Sequence, residues 1–533
     1  MVAVLFAAFV FGAAPSVDWL DGGSLTSSAW ALGIPHPPGE PGWLVPARIA
    51  QLLPVGDIAF RTNVLSALAM AALAAPLLWI SRALFGGRAD RAGLLAVGLG
   101  LLGYGARMQA QRAEVYGLVA LLLLLGLAAA LCLTGRRSSA LVGLLLGLAA
   151  AVHPFLAAAA APGMLLARAL RSSFGPSDAL HGVGWGLAGF AVYSWLPLRA
   201  VANPARAWGV PDSPQRFVDV LLGRAFARNF GGEEATLANA GVVFELHALS
   251  GMAASVVFAA VAMFVLRSKP RAHDEAARTR RALAWAAPLW VLGNALTIIP
   301  QNKVLPTNPD LLGYLLVGAL ALVPLLSLGI ALLDDIDGTP LARMRTPLLW
   351  VAVVAVGLQA VDGLSANRRD NQLARDFATA QTHGLPPGSL LMTSGNNTAF
   401  VWGYLQGVER RRPDVLVLHR VLLGHEHERL RLAPALTELG VPWSPALRSE
   451  PAAAFAGVSP PVFIEARDPE RALLGSLLRR HGVVHQLGVG PEDAALASLR
   501  ETVLRDLEGP VAHGDEEAAL VAAMLRDLMA TPR

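Results

Sequence analysis

The sequence predicts an α-helical polytopic membrane protein with about eleven transmembrane helices, followed by a soluble α/β domain. Hydrophobic residues make up 54% of the 533 residues and charged residues only 15%, a composition too apolar for a soluble globular protein. The apolar residues also form successive runs up to Gly363, whereas the residues after it are charged and contain no run that could span a bilayer.

The predicted transmembrane helices are apolar runs, because a helix needs about 20 apolar residues to cross the hydrocarbon core. Several runs are shorter than this, and the pair around His153-Pro154 is either one kinked helix or two short ones. The first run lacks a basic N-terminal region, so we interpret it as a helix rather than a cleaved signal peptide. The runs are Val2–Ala14, Asn63–Phe85, Ala92–Gly105, Tyr116–Leu133, Ala140–Val152, Phe155–Leu170, Gly182–Leu196, Met252–Leu266, Leu283–Ile299, Leu311–Leu333 and Leu348–Val361.

Basic clusters on alternate loops set the predicted orientation. Gly87–Arg91, Arg168–Arg171 and Arg267–Arg281 are such clusters, and the positive-inside rule places them in the cytoplasm. An odd number of helices then places the C-terminal domain outside. Arginine far outnumbers lysine, which indicates a GC-rich genome, and we expect the protein in a bacterial inner membrane. The loops predicted to lie outside are 15–61, 107–114, 197–250 and 300–310.

The membrane domain is predicted to comprise residues 1–363 and the extracytoplasmic α/β domain residues 364–533. Short apolar stretches alternate there with amphipathic segments, as in a small α/β domain. The predicted strands are Ser389–Met392, Val415–Leu418 and Val462–Ile464. The predicted helices are Gln372–Thr382, Glu426–Leu439, Pro469–His481 and Glu516–Met529.

Several classes of site are not indicated by the sequence. The single cysteine, Cys132, allows no disulfide within one chain. The net charge of +4 is small, and no basic stripe with interleaved aromatic residues indicates a nucleic-acid partner. No glycine-rich phosphate loop follows a strand, so the sequence does not indicate a nucleotide-sugar site. We therefore expect neither a cofactor nor a metal.

The loop between the first two helices is the best candidate site. It contains the carboxylate Asp21 and the imidazole of His36 among many glycines and prolines. Gly22–Gly23 and Pro35–Gly39 exclude a regular helix and favour fixed turns. A rigid loop with an acid at a membrane surface is suited to chemistry on a lipid-borne substrate.

Several motifs resemble the DUF2723 family, membrane proteins that include TMEM260-type protein O-mannosyltransferases of the glycosyltransferase-C (GT-C) superfamily. The family pattern contains D-S-G-E, then LGIPHPPGTP and GDVAFRVNLLSAL. This chain has DGGS at 21–24, ALGIPHPPGEP at 31–41 and GDIAFRTNVLSAL at 56–68. Residues 109–118, 195–209 and 386–414 also resemble family segments, so the resemblance runs from about residue 15 to residue 423. One departure is notable: Ser24 stands where the family has glutamate.

The resemblance implies a GT-C-like membrane domain that transfers a sugar from a polyprenyl-phosphate donor to a protein or glycan acceptor at the outer face. An inverting transfer requires a base for the acceptor proton, which would be Asp21. Arginine would neutralise the phosphate, with Arg199 as first choice and Arg61 as second. Three further side chains would bind substrate: His36 the phosphate or acceptor, Glu114 the acceptor, and Trp208 the sugar face.

Each candidate also has a purely structural interpretation. Asp21 would cap a short helix, and His36 would be a turn residue bonded to the backbone. Glu114 would pair with Arg107 or Arg112, and Arg199 would extend towards lipid headgroups. Trp208 would belong to the aromatic belt at the membrane interface.

Two other functions stay open. A transporter or flippase of a lipid-linked or small substrate would need charged residues within its helices and paired halves, neither of which is seen. A non-catalytic scaffold that kept the fold is the other alternative, because the family glutamate is absent at Ser24.

Overall fold

The computed structural model describes most of the chain, and every structural statement below concerns these residues. They are residues 1–85, 90–202, 207–225, 275–299, 309–332, 345–424, 426–441, 461–465, 478–481 and 484–487, with a few isolated positions.

The chain is mainly helical up to residue 362. The helices are α1 (Val2–Phe11), α2 (Gly22–Ala31), α3 (Pro41–Ala50), α4 (Ile58–Ala72), α5 (Ala74–Phe85), α6 (Asp90–Leu101), α7 (Tyr104–Ala110), α8 (Tyr116–Cys132), α9 (Gly135–Val152), α10 (Pro154–Arg171), α11 (Pro176–Phe190), α12 (Trp195–Val201), α13 (Pro214–Leu221), α14 (Glu275–Ile298), α15 (Pro309–Leu320), α16 (Val323–Leu332) and α17 (Arg345–Asp362).

Ten of the eleven predicted apolar runs contain a helix in the structure, and the eleventh, Met252–Leu266, lies outside the described residues. Three described helices are long and apolar enough to cross a membrane: Ile58–Leu84, Gly135–Val152 and Arg345–Ala366. A fourth span is obtained if α15 and α16, which meet at an angle of 43°, are counted together. The total of eleven transmembrane helices stays a prediction.

The segment around His153 is two helices rather than one kinked helix. His153 has extended backbone angles, φ −154° and ψ 97°, between the end of α9 and the start of α10. Pro154 occupies the first position of α10, where its missing N–H breaks no helical hydrogen bond. The side chain at the break is buried, because His153 is 3% exposed.

Small residues bring two helices of the membrane domain into close contact. A Cβ atom at Gly143 or Gly147 of α9 would collide with the carbonyl oxygen of Gly182 or Gly186 of α11. The glycines recur at a spacing of four on both helices, so one face of each helix is flat. Such faces favour tight packing in a bilayer, where the hydrophobic effect does not drive helices together.

The rest of the chain carries a five-stranded sheet. Helix α18 (Leu373–Gln381) leads into β1 (Leu390–Thr393), and α19 (Asn396–Gly407), β2 (Leu416–His419) and α20 (Glu426–Glu438) follow. The last strands are β3 (Val462–Glu465), β4 (Leu478–His481) and β5 (Val484–Leu487). The spatial order is β2-β1-β3-β5-β4, with β1 parallel to β2 and β3, and β5 antiparallel to β3 and β4.

The predicted strands agree with β1, β2 and β3 to within one residue, but one predicted helix is wrong at its end. The helix was expected to continue to His481, whereas Leu478–His481 form the edge strand β4. Pairing with β5 satisfies the backbone of this segment, and edge strands tolerate charged residues such as Arg479 and Arg480. The domain boundary at 363/364 stays a prediction.

Candidate functional site

A cavity of about 420 Å³ lies where the opening loop meets α14, α15 and α19. Its lining includes four carboxylic side chains, the two imidazoles of His36 and His153, and aromatic rings. The residues that carry its polar chemistry are Asp21, His36, Glu40, Glu114, Trp208 and Asp310. Four of these six, namely Asp21, His36, Glu114 and Trp208, are residues that the sequence singled out. The structure therefore brings four of the six predicted site residues to one place.

Asp21 and His36 form the centre of this cavity. The Oδ2 atom of Asp21 lies 3.2 Å from Nε2 of His36. Asp21 occupies the N-cap position of α2, yet its side chain makes no capping hydrogen bond. The turn Pro35–Gly39 presents the His36 ring to the carboxylate, and Ser24 Oγ lies 3.4 Å from its Nδ1 atom. The Asp21 side chain is thus directed to the imidazole rather than to the helix backbone.

The two charges determine each other's protonation. Burial by itself would raise the pKa of Asp21, but the attraction and hydrogen bond of His36, with Arg112 beyond it, hold that pKa below its ordinary value. Burial would lower the pKa of His36, but Asp21 and Glu40 raise it to about 10. At neutral pH, Asp21 is therefore a carboxylate and His36 an imidazolium.

Glu114 belongs to a buried ion-pair network beside this centre. Arg112 Nη2 lies 2.8 Å from Glu114 Oε1 and 3.0 Å from Asp310 Oδ1. Burial raises the pKa of Glu114 well above its ordinary value, although Arg112 opposes the shift. The predicted structural pairing of Glu114 with an arginine is present, and Glu114 also lines the cavity. The two interpretations are therefore compatible.

The sheet-bearing part of the chain closes one wall of the cavity through α19. Asn396 and Phe400, both on α19, line the cavity. The Phe400 ring stacks on His36 with centroids 6.1 Å apart, and it meets the edge of Trp208 at 5.5 Å. Trp208 is held by its backbone N–H, which donates to the carbonyl of Ile34 at 2.8 Å.

The structure does not bring Arg61 or Arg199 into the cavity lining. Arg61 donates to the carbonyls of Val55, Gln51 and Gly56, so it closes the turn after α3. Arg199 donates to the carbonyl of Leu32 and lies over the Trp195 ring at 5.7 Å. Their phosphate-binding roles stay predictions, and the geometry directs both guanidinium groups to backbone carbonyls instead.

Sequence reasoning missed Glu40, Asp310, Asn396 and Phe400 as cavity residues. Glu40 and Asp310 were within reach, because both are acids in segments predicted to lie outside. Asn396 and Phe400 gave no such signal, since their approach depends on how α19 packs against α2. That packing is close: a Cβ at Gly23 would lie 2.5 Å from the carbonyl oxygen of Phe400.

An apolar groove adjoins the polar cavity. It has a volume of about 680 Å³ and lies between α9, α10 and α11. Phe155 and Leu222 line both spaces, so the groove and the cavity are adjacent. Away from these two residues the groove reaches Arg168, which pairs with Asp178 at 3.3 Å. The structure thus places an apolar groove beside a charged pocket.

Comparison with known families confirms the resemblance that the motifs indicated. Residues 21–173 match the family model described as the protein O-mannosyl-transferase TMEM260 N-terminal domain. The matched region includes Asp21, His36, Glu40 and Glu114, together with the α9 and α10 walls of the apolar groove. Trp208, Asp310 and α19 lie beyond it.

The fold is similar to that of a protein of known structure. The crystal structure of ArnT from Cupriavidus metallidurans bound to undecaprenyl phosphate matches with a TM-score of 0.57 and 13% sequence identity, covering 93% of this chain and 97% of that chain. The same protein in the apo state matches with a TM-score of 0.56 and 14% identity, covering 93% and 98%. At these identities the likeness establishes the fold, which is the predicted GT-C-like architecture.

Proposed function

We propose that this protein is an integral membrane glycosyltransferase that transfers a sugar from a polyprenyl-phosphate donor to an acceptor at the outer face of the membrane. The observation that carries the proposal is that two different spaces lie side by side. A pocket with an ionised aspartate shares the lining residues Phe155 and Leu222 with an apolar groove along three helices. A donor with a polar head and a long isoprenoid tail needs both environments side by side.

The comparisons support the same assignment. The matching family model is that of an O-mannosyl-transferase domain, and the structurally similar ArnT was solved with undecaprenyl phosphate. We propose that the isoprenoid tail of the donor lies in the groove between α9, α10 and α11. The sugar and phosphate would then occupy the cavity around Asp21 and His36.

The proposed reaction is a displacement at the anomeric carbon. The acceptor hydroxyl oxygen forms the new bond to that carbon, and the bond between the carbon and the phosphate oxygen breaks. The hydroxyl proton passes to the Asp21 carboxylate. The polyprenyl phosphate leaves with the bonding electron pair, and the His36 imidazolium stabilises its charge.

Asp21 suits this role because it is ionised at neutral pH and yet lines the cavity. Its lowered pKa makes it a weak base, so we expect proton transfer late in the reaction, once the new bond makes the hydroxyl more acidic. Glu114, held by Arg112, would orient the acceptor. Trp208 and Phe400 would present aromatic surface to the sugar.

The test is a transfer assay with purified full-length protein in nanodiscs. Undecaprenyl-phosphate-linked sugars would be supplied with peptide and glycan acceptors, and wild type compared with Asp21→Asn. We expect the variant to lose about 100-fold or more of the transfer rate. The matched control is Asp90→Asn, which changes an exposed aspartate paired with Arg82 far from the cavity.

Other results of this assay would contradict the role of Asp21 or indicate one of the alternative functions. Equal transfer by wild type and Asp21→Asn would remove Asp21 as the base. Absence of transfer by the wild type, with movement of the labelled lipid between leaflets, would indicate a flippase. Absence of both, with the protein folded, would indicate a scaffold.

A further inference from the structure

We propose that Glu40 is a positioning residue of the site: its carboxylate shares the Nε2 atom of His36 with Asp21 and fixes the imidazole in place from the opposite side to Ser24. The inference rests on the function proposed above and adds a residue that neither the sequence motifs nor the family comparison assigned.

The contacts of His36 carry the inference. Glu40 Oε1 lies 3.8 Å from Nε2 of His36, and Asp21 Oδ2 lies 3.2 Å from the same atom. The other ring nitrogen, Nδ1, lies 3.4 Å from Ser24 Oγ. The ring therefore has partners at both ends, with two carboxyl groups on one side and a neutral hydroxyl on the other.

The state of the Glu40 side chain is a second observation. It is 3% exposed and lines the cavity, and Oε2 has no hydrogen-bond partner among the residues the structure describes. Burying a carboxyl group is unfavourable when one of its oxygens has no hydrogen-bond donor, unless a bound ligand supplies that donor. A hydroxyl group of the sugar or the acceptor is a chemically suitable partner for that oxygen.

The backbone at Glu40 is a third observation. Its φ of 40° and ψ of 44° lie in the left-handed region, which a side-chain-bearing residue rarely occupies. Glycine or asparagine would fit this N-cap of α3 with less strain. The glutamate is thus kept in an unfavourable conformation that directs its carboxylate to His36.

Ser24 and Glu40 contact opposite nitrogens of the His36 ring, Nδ1 and Nε2 respectively. A carboxylate at either position would therefore face the imidazole. Moving the acid from position 40 to position 24 tests whether His36 needs a second carboxyl partner.

The experiment exchanges the carboxylate between the two positions. Glu40→Gln, Glu40→Thr and the double variant Glu40→Thr/Ser24→Glu would be assayed for sugar transfer in nanodiscs. We expect both single variants to lose transfer by about 10- to 100-fold, because His36 is no longer fixed. The double variant should recover about tenfold over Glu40→Thr, because the acid is again on the ring. The matched control is Glu438→Gln, on an exposed position of α20.

A spectroscopic readout separates this inference from the proposed function. NMR of histidine-labelled protein, with His36→Gln to identify the signal, would follow titration of the His36 ring. Its titration should move to lower pH by about one unit in Glu40→Gln and return in the double variant. If the wild type transfers no sugar, the proposed function fails, and this titration alone decides the role of Glu40.

Two results would overturn the inference. One is a Glu40→Gln variant that transfers sugar at the wild-type rate and leaves the titration of His36 in place. The other is a double variant that is folded, judged by size-exclusion elution against Glu438→Gln, and yet no more active than Glu40→Thr. A merely structural role for Glu40 would produce this second result.

Discussion

His36 is the residue whose charge depends most on its surroundings. Asp21 and Glu40 both lie within 3.8 Å of its Nε2 atom, and they outweigh the burial that would otherwise favour the neutral ring. The imidazolium in turn keeps Asp21 ionised in a buried site. The ionisation of Asp21 thus depends on a histidine 15 positions later in the chain.

The raised pKa of His36 predicts a pH-dependent stability. A folded pKa of about 10, above the ordinary 6.5, gives a stabilising contribution that is complete below about pH 6.5 and is lost as the pH rises towards 10. We expect the difference in Tm between wild type and His36→Gln to shrink between about pH 7.5 and pH 10. Thermal unfolding of both proteins across this range measures it.

The chosen range keeps another titration out of the comparison. Burial raises the pKa of Glu40 to about 7. The titration of Glu40 therefore changes the stability of the protein mainly in the range from about pH 4.5 to pH 7. A difference in Tm that stays constant up to pH 10 would contradict an imidazolium in the folded protein.

The contact between α2 and α19 is the feature that completes the cavity. Helix α2 follows Asp21 directly, and α19 carries Asn396 and Phe400. Gly23 allows their close approach, because any side chain there would collide with the Phe400 carbonyl. A single glycine therefore controls the distance between the aspartate and the wall that faces it.

Substitution at Gly23 tests this contact. We expect Gly23→Val to push α19 away from α2 and to destabilise the protein by about 1–3 kcal/mol. We also expect the transfer rate of the protein that remains folded to decrease. The transfer rate and the Tm would be measured together. Gly184→Val is the matched control, since a Cβ there meets no atom within 4 Å. Equal activity of both variants would show that α19 takes no part in the site.

At the scale of the whole molecule, arginines after the membrane helices bind the sheet-bearing part to the opening loop. Arg368 donates to Asp18 Oδ2 at 2.7 Å, and its backbone N–H donates to the Gly12 carbonyl. Arg375 donates to Ser16, Asp57 and Glu409. These contacts place α19 against α2, so the cavity depends on residues more than 300 positions apart in sequence.

Removal of the Arg368 guanidinium should loosen this attachment. Arg368→Met leaves the carboxylate of Asp18 buried without its cation, for which we expect a loss of about 3–5 kcal/mol of stability. Thermal unfolding and limited proteolysis of the region after residue 368 would measure the change. Arg369→Met, at the exposed neighbouring position, should leave both readouts close to wild type.

The sequence by itself determined the helical membrane fold, the family resemblance and the importance of the opening loop. These features are local: apolar runs define helices, and the motif around Asp21 and His36 lies within one short segment. For the same reason the strands β1 to β3 were predictable from short apolar stretches. The turn at Pro35–Gly39 was predicted correctly, whereas the prediction that Gly22–Gly23 exclude a helix is wrong, because α2 begins at Gly22. Glu114 and Trp208 were located by motifs that the resemblance covers.

Only the tertiary structure decided which charges meet. The sequence predicted Arg61 and Arg199 as phosphate-binding residues. In the fold, however, their guanidinium groups donate to backbone carbonyls. Glu40 and Asp310 looked like ordinary loop acids, but folding places them beside His36 and Arg112. Electrostatic interaction and burial depend on distances through space, and the linear spacing of residues contains no such distances.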